Sequence, residues 1–343
     1  SKMATSVISA NLPPNIDPTK ATMAYGNGAL RRLNRELQDT ENMLTRQKAV
    51  KALCDYLHDH EHVAAAIHEG IVVSLKSLLR DTDVTCRQLS TMCFYVISQH
   101  SVGREAILDT GTIEPLSALF EDAEDICRRN AHMAIEMLSE VPFGADGIVQ
   151  AALVPKLIEK VKSEHDEIKE YILDTLHFCL IVNTQDALKA HGMEVFTSLL
   201  ASNLATIRAK AARDIMDLSV PLDGKDKAVE VGTVPALIGL LGDNASAVRA
   251  NAAGALSFIA VTTQGKYTAL NADCVNPLLP LVNDPNSEVR VNALKVVTCL
   301  AEAPEGRKIL TGHVEQIRQL ESDEITNVRK HAEIAVRVIT WRP

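Results

Sequence analysis

The densest group of metal-binding side chains in the sequence lies between residues 58 and 69. Residues 58–62 read His-Asp-His-Glu-His, and His68 and Glu69 follow one helical segment later. Imidazole and carboxylate groups at such spacing can converge on zinc. The segment, however, joins the end of one predicted helix to the start of the next, and nothing around it supplies outer hydrogen-bond partners. The pattern favours a solvated polar loop, and we predict no metal site.

Glycine–base pairs are the second candidate for chemistry, because Gly-Lys is part of the phosphate-binding loop. The motif GxxxxGK[ST] is absent, and no strand pattern precedes either Gly224-Lys225 or Gly265-Lys266. Such pairs instead recur at one point of an internal repeat, where the glycine indicates a structural turn. A solvated row of bases and a surface that binds an acidic partner both fit this pattern. We call the row the basic edge: Arg104, Lys225, Lys266 and Arg307.

The seven cysteines form no redox or metal motif. Their number is odd, there is no CxxC pair, and most lie in apolar helical stretches. We predict reduced and buried side chains. No set of acid, base, nucleophile and metal ligand converges at a recognisable spacing, so we expect neither enzymatic activity nor a cofactor.

All of these residues belong to a repeat of about 41 residues. A basic residue recurs at spacings of 41, 41, 41, 39, 41, 41 and 39 residues. A residue of small or medium size follows it by three positions and an apolar residue by seven, which is the spacing of one helix face. Asp, Ser or Thr stands six positions before it and predicts the N-cap of that helix. We call the basic residues the anchors: Arg46, Arg87, Arg128, Lys169, Arg208, Arg249, Arg290 and Arg329.

Two shorter helices precede this long third helix in each unit. The second helix is an apolar segment such as TVPALIGLL, whose proline suits a first helical turn. The first helix is closed in four units by Gly70, Gly111, Gly192 or Gly232, because glycine allows a sharp bend. Three helices with that glycine are typical of the armadillo repeat, and the HEAT repeat is the close alternative.

The predicted fold is an all-α, right-handed superhelical armadillo-repeat solenoid. A three-helix unit is too small to bury its apolar face, so neighbouring units must stack. We predict an extended N-terminal arm over residues 1–26, which are rich in proline, and expect Trp341 to cover the last apolar face. The solenoid is predicted over 27–343, with a partial unit over 28–58 and about seven full repeats over 61–100, 103–140, 144–182, 184–219, 224–262, 265–302 and 306–341.

Composition narrows the function classes further. The chain has 35 Lys and Arg against 44 Asp and Glu, a net charge of −9 at pH 7, which disfavours nucleic-acid binding. No apolar run approaches the roughly 18 residues of a membrane span, and the first residues lack a signal-peptide pattern. We therefore expect a cytoplasmic protein that binds no nucleic acid, no membrane and no small-molecule substrate.

The surface expected to bind partners is the groove lined by the third helices. Armadillo proteins that read basic import signals carry Trp and Asn ladders there, and this chain has neither at the fifth and ninth positions after its anchors. Apolar residues at several of these positions predict a groove for an apolar helix or peptide face. Packing against the neighbouring helix is the alternative for each side chain. The candidate groove residues are Met92, Val96, Met133, Met137, Phe178, Arg213, Phe258 and Lys295.

Several segments resemble the radial spoke head protein 14 homolog family. They are NIDPTKATMAYGNGALRRLNREL at 15–37, LTRQKAVKALCDYLHD at 44–59, QHSVGREAIL at 99–108, RANAAGALSF at 249–258, TTQGKYTAL at 262–270 and AEAPEGRKIL at 301–310. The resemblance implies a non-catalytic scaffold subunit of the radial spoke, in the axoneme of motile cilia and flagella. Its partners would be other radial spoke proteins near the doublet microtubules. The alternative is a soluble armadillo adaptor or cargo receptor in the cytoplasm.

Overall fold

The computed structural model describes residues 28–342, and this part of the chain contains α- and 3-10 helices and no β-strand. The predicted all-α fold is therefore confirmed. The arm predicted over residues 1–26 lies outside the described residues. None of the described helices is both long and apolar enough to cross a membrane.

The chain divides into two compact units, Ser1–Leu153 and Val154–Pro343. The described helices of the first unit are Ala29–Leu37, Met43–Leu57, His60–His68, Ile71–Leu78, Val84–Ser98, Ser101–Asp109, Ile113–Ala118, the 3-10 helix Leu119–Glu121, Asp125–Ser139 and Pro142–Gln150.

The second unit begins within the helix Leu153–Lys160. Its further helices are Asp166–Val182, Gln185–Lys189, Gly192–Leu199, Ala205–Leu218, Leu222–Glu230, Thr233–Gly239, Ser246–Ile259, Thr263–Asn271, Val275–Leu278, the 3-10 helix Leu279–Asn283, Ser287–Ala301, Pro304–Thr311, Val314–Arg318, the 3-10 helix Gln319–Ser322 and Thr326–Ile339.

In both units the helices recur in threes, with a third helix of 14 to 17 residues after two shorter ones. Successive third helices pack on one another within each unit. The positions three and seven residues after each anchor are buried throughout, as the helix periodicity predicts; Ala252 and Leu256, for example, are 0 % exposed. Burial of one such leucine side chain stabilises the fold by about 1.5–3 kcal/mol.

The residues six positions before the anchors are not the N-caps that the sequence predicts. The observed N-cap lies two residues later; Asp83, for example, accepts a hydrogen bond from the Cys86 N–H at 2.8 Å. The earlier residue instead closes a turn, in which Asp122 Oδ1 accepts from the Glu124 N–H at 2.9 Å. Where this residue is an aspartate, its carboxylate also contacts the preceding repeat.

Each of these carboxylates accepts hydrogen bonds from the anchor of the preceding repeat. Arg87 Nε donates to Asp122 Oδ2 at 2.7 Å, and its Nη1 donates to Asp81 O at 3.0 Å. The arginine thus joins its own repeat to the next one. We call this set the arginine–aspartate ladder; its pairs are Arg46–Asp81, Arg87–Asp122, Arg208–Asp243, Arg249–Asp284 and Arg290–Asp323.

The bend after the first helix is confirmed at three of the four predicted glycines. Gly70, Gly111 and Gly232 have φ angles of 73°, 62° and 79°, a left-handed region that glycine enters without steric cost. The prediction is wrong for Gly192, which begins a helix. The preceding residue, His191, takes the left-handed conformation there, with a φ of 61°.

Candidate functional site

Three bases of the basic edge donate to the last carbonyls of the preceding third helix. Arg104 Nε donates to Ser98 O at 2.7 Å, and Arg307 Nε donates to Ala301 O at 3.0 Å. Lys225 Nζ donates in the same way at 2.7 Å to the carbonyl six residues before it, and burial lowers the pKa of this lysine. Bases at this point pair with carbonyl groups that the helix leaves unsatisfied.

The fourth base, Lys266, is not solvated as a free surface lysine would be. Lys266 is 9 % exposed, and its Nζ lies 2.5 Å from Glu302 Oε2. The prediction of a solvated row is therefore corrected, because all four bases have partners inside the chain.

Trp341 is 55 % exposed, with the Arg307 guanidinium 4.9 Å from the centre of its ring, so it leaves much of its own apolar surface in solvent.

The glycines beside these bases serve helix packing and do not form turns. Gly224 lies inside the helix Leu222–Glu230, where an added Cβ would lie 1.7 Å from Leu218 O. Gly144 likewise approaches Leu138 O, at 1.9 Å from the added Cβ. Only glycine lets the first helix pack so closely against the end of the preceding third helix.

In the first unit, the candidate groove residues differ in their exposure. Val96 is 5 % exposed and belongs to the core, so its assignment to the groove surface is corrected. Met92, Met133 and Met137 are half-buried and lie on two neighbouring third helices. Their flexible thioether side chains suit an adaptable apolar surface.

In the second unit, a cavity of about 530 Å³ lies along three successive third helices. Its lining is mainly apolar and includes two candidate groove residues, Phe258 and Lys295. Burial, followed by the charge of Lys295, lowers the pKa of His331, so this imidazole is mostly neutral at pH 7. The lining residues are Val220, Lys225, Ser257, Phe258, Val261, Lys295, Thr298, Cys299, His331 and Ile334.

A second cavity of about 380 Å³ lies beside the first, because Val220 lines both. We call these two neighbouring cavities of the second unit together the C-terminal groove. The second cavity is formed at the ends of two third helices, Asp166–Val182 and Ala205–Leu218. Its lining residues are Leu180, Ile181, Val182, Thr184, Asp217, Val220 and Pro221.

The same two helices carry a network of charged side chains. Arg213 is bonded to Asp174 and Asp214, each at 2.9 Å, so this candidate groove residue has two partners inside the chain. Lys210 Nζ contacts Asp174 at 2.6 Å and Glu170 at 3.4 Å. Phe178, the remaining candidate, is half-buried on the first of these helices.

Two further side chains, His177 and Asp217, stand next to this network and form a group of possible metal ligands with Asp214. Each offers one ligand atom, and these atoms all lie within 4.8 Å of one another. His177 Nδ1 and Asp217 Oδ2 are 2.6 Å apart. Sequence reasoning missed this group, although Asp214 and Asp217 are three positions apart on one helix and His177 stands one repeat length earlier.

The predicted histidine-rich loop at 58–62 is largely the first turn of the helix His60–His68. Asp59 caps this helix by accepting from the Glu61 N–H at 3.1 Å. His62 stacks on Tyr56, with ring centroids 3.8 Å apart. These contacts give the segment a structural role.

All seven cysteines are free thiols, and six of them are buried, as predicted. Burial raises the pKa of Cys179 and of Cys274 to about 12. It also raises the pKa of Cys299, which lines the larger cavity, to about 11. These thiols are protonated at neutral pH and are poor nucleophiles.

Comparison with known proteins supports the fold. No family model matches the sequence. The crystal structure of an engineered protein is similar with a TM-score of 0.85 and 24% identity, over 92% of this chain and 79% of that chain. A designed armadillo repeat protein in complex with the peptide (KR)4 is similar with a TM-score of 0.60 and 18% identity, over 66% of this chain and 99% of that chain. The likeness shows an armadillo-type α-solenoid fold.

Proposed function

We propose that this chain is a non-catalytic scaffold whose C-terminal groove binds an apolar segment of a partner protein. The observation that carries this proposal is the cavity of about 530 Å³ that crosses three third helices with a mainly apolar lining. A concave apolar surface of this size is typical of a binding site.

The dimensions of the groove suit a helix or a peptide. Packed helices lie about 10 Å apart, so three of them span about 20 Å, which is the length of about 13 helical residues. The designed armadillo repeat protein with a similar fold is in complex with a peptide, which supports this class of ligand.

The charge of the cavity selects against a basic peptide. Lys295 lies in the wall beside Phe258 and Ile334, and its ammonium group would repel lysine and arginine side chains. We expect a segment whose apolar side chains enter the cavity and whose acidic side chain pairs with Lys295.

We further propose that the partners are other radial spoke proteins, so that the chain is a structural subunit of the radial spoke of motile cilia and flagella. The sequence resemblance supports this proposal. Its segments at 99–108 and 301–310 contain Gly103 and Gly306, where an added Cβ would meet the backbone at the end of the preceding third helix. The segment at 15–37 and the APEGRK sequence at 303–308 carry the more specific part of the resemblance.

The test is to express the tagged protein in ciliated cells, strip the axonemes with detergent, and follow salt extraction by mass spectrometry. We expect the protein to stay in the axoneme and to be released together with radial spoke subunits. Recovery of the wild-type protein in the soluble fraction with exchanging partners would contradict the radial spoke assignment and favour the cytoplasmic adaptor.

A variant in the cavity tests the groove itself. Val261 is 59 % exposed and lines the cavity, so Val261→Glu places a charge where the partner must exclude water without disturbing the core. We expect this variant to be lost from the axoneme. Val73→Glu is the matched control, because Val73 is 57 % exposed on the helix Ile71–Leu78; equal loss of both variants would overturn the groove proposal.

A further inference from the structure

Three side chains next to the second cavity, of which Asp217 lines it, are arranged as metal ligands, and we propose that His177, Asp214 and Asp217 bind a zinc ion. Their ligand atoms lie within 4.8 Å of one another, and no other group of three or more such residues meets this condition in residues 28–342. The site adjoins the C-terminal groove through Asp217, which lines the second cavity, whereas His177 and Asp214 are not lining residues of either cavity.

The buried carboxylate of Asp214 is an independent indication of a ligand. This residue is 0 % exposed, and its Oδ1 accepts from Arg213 Nε at 3.0 Å. The other oxygen, Oδ2, is buried and has no hydrogen-bond partner within the described part of the chain. A buried carboxylate oxygen without a partner costs free energy, and a bound cation would remove that cost.

The surrounding charges leave room for a divalent cation. Glu170, Asp174, Asp214 and Asp217 are four carboxylates, and the network contains two basic side chains, Lys210 and Arg213. When all of them are ionised, the net charge is minus two, which one zinc ion neutralises.

The donor set and its position favour zinc. One imidazole and two carboxylates are nitrogen and oxygen ligands that zinc accepts, and sites with three protein ligands keep one position for water. Asp217 lines the cavity of about 380 Å³, which supplies a route for the ion and space for that water.

The side chains need only small movements to close on the ion. Two ligands that are each about 2.1 Å from zinc lie at most about 4.2 Å apart, compared with the 4.8 Å limit of the present arrangement. Zinc would replace the contact between His177 Nδ1 and Asp217 Oδ2, and any protons held by the ligands would be released to solvent.

Calorimetric titration of the purified, metal-free protein with Zn²⁺ tests the proposal. We expect one zinc ion per chain at this site, and Co²⁺ in its place should give the visible absorption of a four- or five-coordinate ion. His177→Gln and Asp217→Asn should each weaken zinc binding at least about 100-fold. Replacing residues that only hydrogen-bond to metal ligands already lowers metal affinity about 10–100-fold.

Asp55→Asn is the matched control. Asp55 stands nine residues after its anchor, as Asp217 does, and its Oδ2 is also buried without a partner in the described part. Zinc affinity should not change in this variant. A double variant, His60→Ala and His62→Ala, should also bind zinc with unchanged affinity. It distinguishes the proposed site from zinc binding by the surface histidines.

Two results would overturn the proposal. One is the absence of stoichiometric zinc binding and of a Co²⁺ spectrum in the wild-type protein, which needs no variant to fold. The other is unchanged zinc affinity in both His177→Gln and Asp217→Asn, with their helical content preserved by circular dichroism. Either result would leave His177 and Asp217 as an ordinary hydrogen-bonded pair.

Discussion

The anchor arginines connect neighbouring repeats through single side chains. Arg249 binds Asp284 at 2.7 Å and donates to Asp243 O at 2.9 Å. A planar guanidinium can satisfy a carboxylate and a carbonyl together, which the ammonium group of lysine cannot do with the same geometry. At each of its five pairs, the ladder thus links one third helix to the repeat that follows it.

Asp284→Asn tests the energetic contribution of one step of the ladder. The amide keeps the shape of the carboxylate but leaves Arg249 without its counter-charge. We expect the free energy of unfolding to fall by about 1.5–3 kcal/mol, the contribution of hydrogen bonds to charged groups, as measured by urea denaturation. Asp109→Asn, at an exposed helix end, is the control and should change stability by less than about 0.5 kcal/mol; equal losses would contradict the role of the ladder.

The ladder also makes stability depend on pH in the acid range. Burial raises the pKa of Asp284, but the guanidinium of Arg249 and the Asn286 N–H outweigh it and hold this pKa below its ordinary value. The unfolded chain therefore binds the proton more readily, so this contribution is complete above pH of about 4 and is lost as pH falls through the folded pKa.

We expect wild-type stability to decrease more steeply than that of Asp284→Asn between pH 5 and pH 2, as urea denaturation at a series of pH values would show. The difference between the two proteins isolates the one carboxylate from the other acids of the chain. Parallel curves would mean that Asp284 has the same pKa in the folded and unfolded states.

At the scale of helices, the end of each third helix determines how the next first helix can pack. Carbonyl groups at this end accept from three bases of the basic edge, Arg104, Lys225 and Arg307, and a neighbouring carbonyl approaches the glycine beside the base. One glycine–base pair therefore serves two contacts of the same helix end, which explains why the pair recurs with the repeat.

Gly224→Ala tests this packing. The added Cβ would lie 1.7 Å from a backbone oxygen, Leu218 O, so the helix Leu222–Glu230 must shift. We expect a loss of at least about 1–3 kcal/mol in the free energy of unfolding, the usual cost of overpacking. Gly239→Ala is the matched control, because nothing lies within 4 Å of its added Cβ.

The control should leave stability unchanged or raise it by up to about 1 kcal/mol, since alanine favours the helix. Chemical denaturation of the two variants side by side gives the comparison. A loss in Gly239→Ala as large as that in Gly224→Ala would show that the backbone contact is not the cause.

At the scale of the whole molecule, the stability of stacked repeats is distributed along the chain. Each repeat contacts its neighbours in sequence, so stability is a sum of repeat and interface contributions, and an end repeat lacks one interface. The single tryptophan, Trp341, follows the last described helix, Thr326–Ile339. Its fluorescence therefore reports on the C-terminal repeat alone.

We expect the fluorescence transition of Trp341 to occur at a lower urea concentration than the loss of helical circular dichroism, because end repeats open at lower free energy than central ones. Superimposable transitions from the two probes would instead mean that the chain unfolds in a single cooperative step.

Several features follow from sequence alone, because they depend on local periodicity. The recurrence of the anchors predicts the repeat and its third helix, and the offsets of three and seven residues place Ala252 and Leu256 in the core, where they are 0 % exposed. The positive φ of Gly70 and Gly232 is also a local property, since only glycine enters that conformation without strain.

Other features are decided only in the tertiary structure, because they join residues one repeat apart. The sequence marks Asp284 as a helix-capping residue, but its partner Arg249 is 35 positions away. Met133 and Val96 look alike as groove positions, yet only the packing of neighbouring helices buries Val96. His177 and Asp217 are 40 positions apart. The helical period in the sequence specifies the face of the helix on which a side chain lies. The residue that this side chain contacts depends on how the next helix packs against that face.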